Sequence, residues 1–254
     1  MDSQTAAEPL IKALRVEGSL PRDDEERLRA LSFRVQTYAG DETIVAEGSQ
    51  PGESCLVING FAARVHFMED GARQISAIHI AGDFVDLHSL HLETMDHEVS
   101  ALGACEVATV PHEELLRLLD ESPQLMWLFW RLTVKDAAIG RAWISALGRL
   151  AADQHLAHLV CELYQRLSAV GIADDHRFTL PATQIDLADM LGLSSVHVNR
   201  TLKLLRERGL LDWQNRQVEI LRPAAVAELA QFSDDYLRLS SGERRSAFRK
   251  QANR

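Results

Sequence analysis

The stretch TQIDLADMLGLSSVHVNRTLKLLRER, residues 183–208, decides how the rest of the chain is read. It divides into a helix-forming run at 184–191, a break at Gly192-Leu193-Ser194, and a second run at 195–208. Thr183 is a residue type that closes a helix start, and Asp186 three positions later completes a capping-box arrangement. Ala188 is small where two helices would cross, Gly192 admits the left-handed backbone of a tight turn, and Ser194 caps the second run. Val198, Leu202 and Leu205 make an i, i+4, i+7 apolar row, which turns Val196, Asn199, Arg200 and Lys203 to the opposite face. The spacing predicts a helix-turn-helix with a polar, cationic outer face on its second helix.

That face has the chemistry of base-edge recognition. Arg200 can donate two hydrogen bonds to guanine O6 and N7, and Asn199 can pair bidentately with adenine. Ser195, at the positive end of the helix, suits a phosphate, and Val196 can touch a thymine methyl or fill space. His197 is either a phosphate contact or plain surface, and the ordinary alternative for Arg200 is a solvated side chain or a salt bridge within its own domain. Beyond Gly209, residues 210–213, a polar turn Gln214-Asn215-Arg216 and residues 217–221 read as a hairpin, which makes the unit a winged helix with Arg216 at the tip.

Net charge at first opposes a nucleic-acid partner, since 27 basic and 37 acidic residues give −10. The distribution reverses that inference. Residues 1–148 carry 12 basic and 24 acidic side chains, residues 149–232 carry 9 and 10, and residues 233–254 carry 6 and 3. Within 194–222 six basic groups (Arg200, Lys203, Arg206, Arg208, Arg216, Arg222) face three acidic ones (Glu207, Asp212, Glu219). A local basic surface on an acidic chain is compatible with DNA binding.

The N-terminal half has a different texture. Short β-rich runs at 33–38, 54–58, 61–67, 74–80, 97–102 and 106–110 are punctuated by glycines, and Asn59-Gly60 and Asp70-Gly71 are turn pairs, the second a hairpin signal between two alternating strands. They predict an antiparallel β domain over 1–120 with a helical lead-in. After a short helix at 112–119, Ser122 and Pro123 open a long one, and 121–150 is expected to be a dimerisation helix. Leu125, Phe129, Leu132, Asp136, Ile139, Trp143, Ala146 and Leu150 are spaced 4, 3, 4, 3, 4, 3, 4, the seam of a helix that pairs with its own copy. The competing reading packs that seam on its own domain, with Asp136 either setting register or facing out. The winged unit occupies 151–235 and a basic tail 236–254, with the boundary between halves near 147–152.

Cys55, Cys105 and Cys161 are an odd number without a C-x-x-C pair, consistent with buried thiols in the cytoplasm and with no cysteine-ligated cluster. No apolar run reaches membrane-spanning length, so no membrane partner is expected. No nucleophile–base motif, phosphate-cradling glycine loop or H-E-x-x-H occurs, which argues against an enzyme.

Taken together, Gly40-x-x-x-Ile44-x-x-x-Gly48, Val57-Ile58-x-Gly60, Gly82-Asp83-Phe84, Ala104-Cys105-Glu106-Val107-Ala108 and Ala188-x-x-x-Gly192-x-Ser194-x-x-x-Val198-x-Arg200-x-Leu202 resemble the superfamily of the cyclic-AMP receptor protein and the fumarate and nitrate reduction regulator (CRP/FNR). The resemblance covers roughly residues 15–235. It implies an α+β chain with a cyclic-nucleotide-binding-like β jelly roll, a long dimerisation helix and a C-terminal winged helix-turn-helix. It implies a homodimeric regulator of transcription acting on double-stranded palindromic DNA, with RNA polymerase as a further partner and an unknown small molecule as effector.

The departures from that pattern matter as much. Asp86-Leu87 and Met95-Asp96 stand where cyclic-AMP-binding members place Gly-Glu and Arg-Ser, so a cyclic phosphate would meet a carboxylate and cyclic AMP is not expected as cofactor. Residues 1–30 lack the cysteine cluster of the oxygen-sensing members, and Val196 replaces a common recognition glutamate. Asp86, Leu87, His88, Met95, Asp96 and His97 are the effector-pocket candidates. His88-x-x-His91, with His97, leaves haem or metal sensing open as the alternative to solvated histidines.

Overall fold

The computed structural model describes residues 3–237, and the chain divides into two compact units, Met1–Asp136 and Ala137–Arg254. The tail expected at 236–254 lies outside the described residues from 238 onward.

The first unit opens with helices α1 (Ser3–Ala6), α2 (Glu8–Glu17) and α3 (Arg22–Arg29). Strands β1 (Arg34–Tyr38), β2 (Thr43–Val45), β3 (Glu53–Asn59), β4 (Phe61–Phe67) and β5 (Arg73–Ile80) follow, then a 3-10 turn at Leu87–Leu90, β6 (Glu98–Ala101), β7 (Cys105–Pro111), α4 (His112–Glu121) and the long α5 (Pro123–Arg149). Two antiparallel sheets form the jelly roll, one ordered β1-β7-β3 and the other β2-β6-β4-β5. Sequence reading missed β2, whose three residues are too few for an alternation to register.

Strand β3 is buried on both faces, which explains its unbroken Cys-Leu-Val-Ile run. Cys55 and Val57 enter the core between the sheets with Val45, Ala62, Met95, Val99 and Val107. Leu56 and Ile58 alternate to the other side and join Leu10, Leu14, Leu28, Leu115, Leu125, Leu128 and Phe129 from the helices. Each such side chain contributes about 1.5–3 kcal/mol on burial. Gly82 has φ +97°, and a Cβ there would stand 2.7 Å from Pro9 O and 2.8 Å from Ala13 Cβ, so its bare backbone lets α2 approach the sheet. The Asp70-Gly71 hairpin forms as expected, with Gly71 at φ +84° and Met68 N–H donating to Ala72 O at 2.8 Å.

The start of α5 is capped as its sequence implies, Leu125 N–H donating to Ser122 Oγ at 3.2 Å. Its heptad seam, however, faces inward. Leu125, Phe129, Leu132, Ile139, Trp143 and Ala146 are all buried within their own chain, and Asp136 is bound by Arg64 of β4 at 2.9 Å. The expectation that this seam meets a partner copy is therefore corrected: the side chains already lie in intramolecular cores. The exposed apolar residues of α5 are Met126, Trp127, Trp130, Ile144 and Leu147, on another face.

The second unit contains α6 (Ala152–Ala169), β8 (Arg177–Thr179), α7 (Gln184–Leu191), α8 (Ser195–Glu207), β9 (Leu211–Gln214), β10 (Gln217–Ile220) and α9 (Pro223–Leu229). Its sheet is ordered β8-β10-β9, so the predicted hairpin gains a third strand that the loop-like sequence at 171–181 concealed. Glu162 is fully buried and accepts from Trp143 Nε1 at 3.1 and 3.2 Å, Tyr236 Oη at 2.7 Å and Arg166 Nη1 at 3.3 Å. A carboxylate can occupy such a core because its oxygens are answered by donors and by one cation. The three cysteines are buried free thiols, and burial pushes Cys105 up to about 12.

His155 gives this unit an acid sensitivity. It is 6% exposed, and burial, with a smaller contribution from His158, lowers its pKa from 6.5 to about 4. Because the folded value lies below the unfolded one, the neutral ring's contribution is present above pH 6.5 and lost as pH falls toward 4, amounting to about 2 kcal/mol at pH 5. The melting temperature of the wild type should fall more between pH 7.5 and 5 than that of His155→Gln. Equal falls would show that the ring does not control this transition.

Candidate nucleic-acid interface

The helix-turn-helix forms as its sequence dictates. Thr183 Oγ1 accepts from Asp186 N–H at 3.1 Å, while Asp186 Oδ2 accepts from Thr183 N–H at 2.7 Å, the two halves of a capping box at the start of α7. Gly192 ends α7 in the left-handed region at φ +63°, and its N–H and that of Leu193 return to Ala188 O. Ser194 Oγ accepts from His197 N–H at 3.3 Å and caps α8. Val198 and Leu205 are fully buried and Leu202 half-buried, while Thr201, which the apolar row did not include, is buried with its hydroxyl donating to His197 O at 2.9 Å.

The opposite face of α8 is open. Ser195, Val196, Asn199, Arg200 and Lys203, with Gln184 of α7, line a shallow groove of about 370 Å³. Gln184 was not among the predicted residues, although its place at the first turn of α7 brings its Oε1 to 3.4 Å from Asn199 Nδ2. Thr183, Ser194 and His197 are also exposed along this edge.

The basic groups divide into two sets. Arg206 is tied to Asp212 at 3.0 Å, Arg208 to Asp153 at 3.1 Å, and Arg222 to the carbonyls of Gly209 and Arg208. Lys203 lies 3.7 Å from Glu207 on the surface. Arg200 and Arg216 make no side-chain hydrogen bond or ion pair among the described residues. Asn215 and Arg216 have φ +49° and +69°, the two left-handed positions of a tight hairpin turn between β9 and β10. An arginine where glycine is favoured costs about 1–2 kcal/mol of backbone strain, which suits a residue kept for its side chain.

The effector-pocket candidates do not assemble as one site. Asp86 is fully buried and turns toward β3, its Oδ1 accepting from Cys55 N–H at 2.7 Å, and burial pushes its carboxyl up to about 7. Met95 is part of the core between the sheets, and Leu87 packs on the core beneath the helices. His88, Asp96 and His97 do come together, with one ligating atom from each within 4.8 Å of the others. His91 is exposed beyond the end of the Leu87–Leu90 turn and is not in this group, so the His88-x-x-His91 pairing is corrected.

A jelly roll, a long helix and a winged helix with an open cationic recognition face define a DNA-binding regulator of transcription. Residues 35–122 match the cyclic nucleotide-binding domain family and residues 154–229 the Crp-like helix-turn-helix domain family. The chain is 29% identical over 222 residues to the nitrogen fixation regulation protein FixK of Bradyrhizobium diazoefficiens, spanning 87% of this chain and 91% of that one. It is 24% identical over 212 residues to the transcriptional activator protein anr of Pseudomonas aeruginosa, spanning 84% and 86%. The solved structure of FixK2 from Bradyrhizobium japonicum shares the fold, with a TM-score of 0.71 at 24% identity over 80% of this chain and 100% of that one. The chain belongs to the CRP/FNR superfamily of transcription regulators, which are not enzymes. Among its described residues no helix is long and apolar enough to cross a membrane.

The cap that starts α7 is open to test. Thr183→Ala should lower stability in urea melts by about 1 kcal/mol and Thr183→Ser by far less. Equal losses from the two variants would deny the hydroxyl its capping role.

Proposed function

We propose that this regulator acts in the cytoplasm as a homodimer on an inverted-repeat operator, each α8 entering one major groove and the two half-sites lying about 34 Å apart. The observation that carries the reading is the open face of α8, where Arg200 is exposed without an internal partner beside Asn199 and Ser195. Asn199, steered by Gln184, and Arg200 read base edges, while Ser194, Ser195, Thr183, His197 and Lys203 sit where phosphates pass. Arg216 at the wing tip meets phosphate or the minor-groove edge. RNA polymerase is the further protein partner in this reading. Cyclic AMP is not its effector in this reading, since Met95 stands where the family's nucleotide binders place an arginine and fills space in the core, with the carboxylate of Asp96 next to it in the chain.

The dimer surface is the exposed face of α5. Trp127, Trp130, Val134, Ala137, Arg141 and Ile144 follow 3, 4, 3, 4, 3 spacing, and Trp127, Trp130 and Ile144 are 56%, 62% and 71% exposed. A stripe of that kind is costly in water and self-complementary across a two-fold axis.

Selection from randomised duplex DNA with no small molecule added should enrich an inverted repeat. Against the selected site, Arg200→Ala should cost about 1–3 kcal/mol and relax one base position, whereas Arg216→Ala should weaken all sequences alike and reduce the salt slope. Unchanged affinity and preference on Arg200→Ala would remove α8 as the reading element. Separately, Trp130→Glu with Ile144→Glu should yield a folded monomer in analytical ultracentrifugation, and a dimer that survives both changes would place the interface elsewhere.

A further inference from the structure

His88, Asp96 and His97 meet on one side of the jelly roll although nothing in the recognition of DNA uses them. His88 stands on the 3-10 turn Leu87–Leu90, and Asp96 and His97 lead into β6. His97 is 4% exposed, and its Nδ1 lies 2.8 Å from Asp96 Oδ1. The Nε2 atoms of His88 and His97 are both buried and have no hydrogen-bond partner among the described residues. Buried polar atoms are nearly always answered, and two orphaned nitrogens on rings whose centroids lie 5.1 Å apart mark a place where a ligand fits.

The electrostatics select the sign of that ligand. The charged groups around the two rings are Arg64, Asp96 and Asp136. Arg64 itself is held at 2.9 Å by Asp136, which leaves two carboxylates, Asp96 and Asp136, against one guanidinium. The local balance is one negative charge, and an anion entering past Asp96 would be repelled.

We propose that His88, Asp96 and His97 form a binding site for a divalent first-row transition ion of the zinc or cobalt type. Two imidazoles and one carboxylate are the donors such ions prefer, and three protein ligands leave a position open to water or another small ligand. Their ligating atoms are already within 4.8 Å of one another. Tetrahedral bonds of about 2.1 Å place ligand atoms about 3.4 Å apart, so closure requires a shift of about 1–1.5 Å. Asp96, with a side chain 72% exposed, makes it by giving up its contact with His97 Nδ1. The site stands independently of operator binding and is tested without DNA.

The full-length protein, stripped with chelator, is titrated with Co²⁺ and then with Zn²⁺. The expected result is one Co²⁺ per chain with a visible d–d band, discharged by equimolar Zn²⁺. Asp96→Asn and His88→Gln, on exposed and half-buried positions, should each weaken Co²⁺ binding at least tenfold with little change in melting temperature, while His66→Gln and His91→Gln leave it unchanged. The proposal is overturned if the wild type takes up no ion at hundreds of micromolar, or if Asp96→Asn and His88→Gln bind as the wild type does. Loss on His91→Gln alone would also overturn it by moving the ion to another pair, and a Soret band in the purified protein would replace the ion by haem.

Discussion

A 27-residue helix cannot hide its whole circumference, and α5 sets the terms for both units. Its N-terminal part gives Leu125, Leu128, Phe129 and Leu132 to the core beneath the jelly roll. Its C-terminal part gives Trp143 to the buried Glu162, and Leu147 approaches the turn at Gly192. With that face consumed inside the chain, Trp127, Trp130 and Ile144 are left in water.

Within the winged unit, local chemistry does most of the positioning. The reciprocal Thr183–Asp186 cap, the left-handed Gly192 and the Ser194 cap fix where α8 begins, and the burial of Val198 and Leu205 fixes which way it is rotated. Arg206, Arg208 and Arg222 are exposed but each is engaged by a carboxylate or carbonyl of the same unit. Arg200 on α8 and Arg216 on the strained turn have no internal partner among the described residues, so the overall acidity of the chain says little about the surface that would face a phosphate backbone.

The β unit shows the opposite balance, with packing overriding local chemistry. Strand β3 needs apolar partners on both faces, and Met95 and the buried Asp86 are drawn into satisfying it. Asp96 and His97, next in the chain to Met95, are turned the other way and meet His88, which is how a polar group is assembled from positions that no short motif links.

Much of this protein was legible in its sequence: the capping box, the αL glycine, the apolar row of α8, the hairpin at Asp70-Gly71 and the alternation of most strands. These features were readable because each depends on neighbours within a few positions. The three-residue β2 and β8 were not, since strands so short acquire their identity from a partner far along the chain. Nor was the sidedness of α5. Its buried seam and its exposed stripe both repeat at 3 and 4, so periodicity by itself determined that the helix has apolar faces, and only tertiary packing decided which of them the chain keeps for itself. The same holds for His88, where sequence proximity favoured His91 and the path of the loop supplied Asp96 and His97 instead, because side-chain direction after a turn is set by the sheet the chain must rejoin.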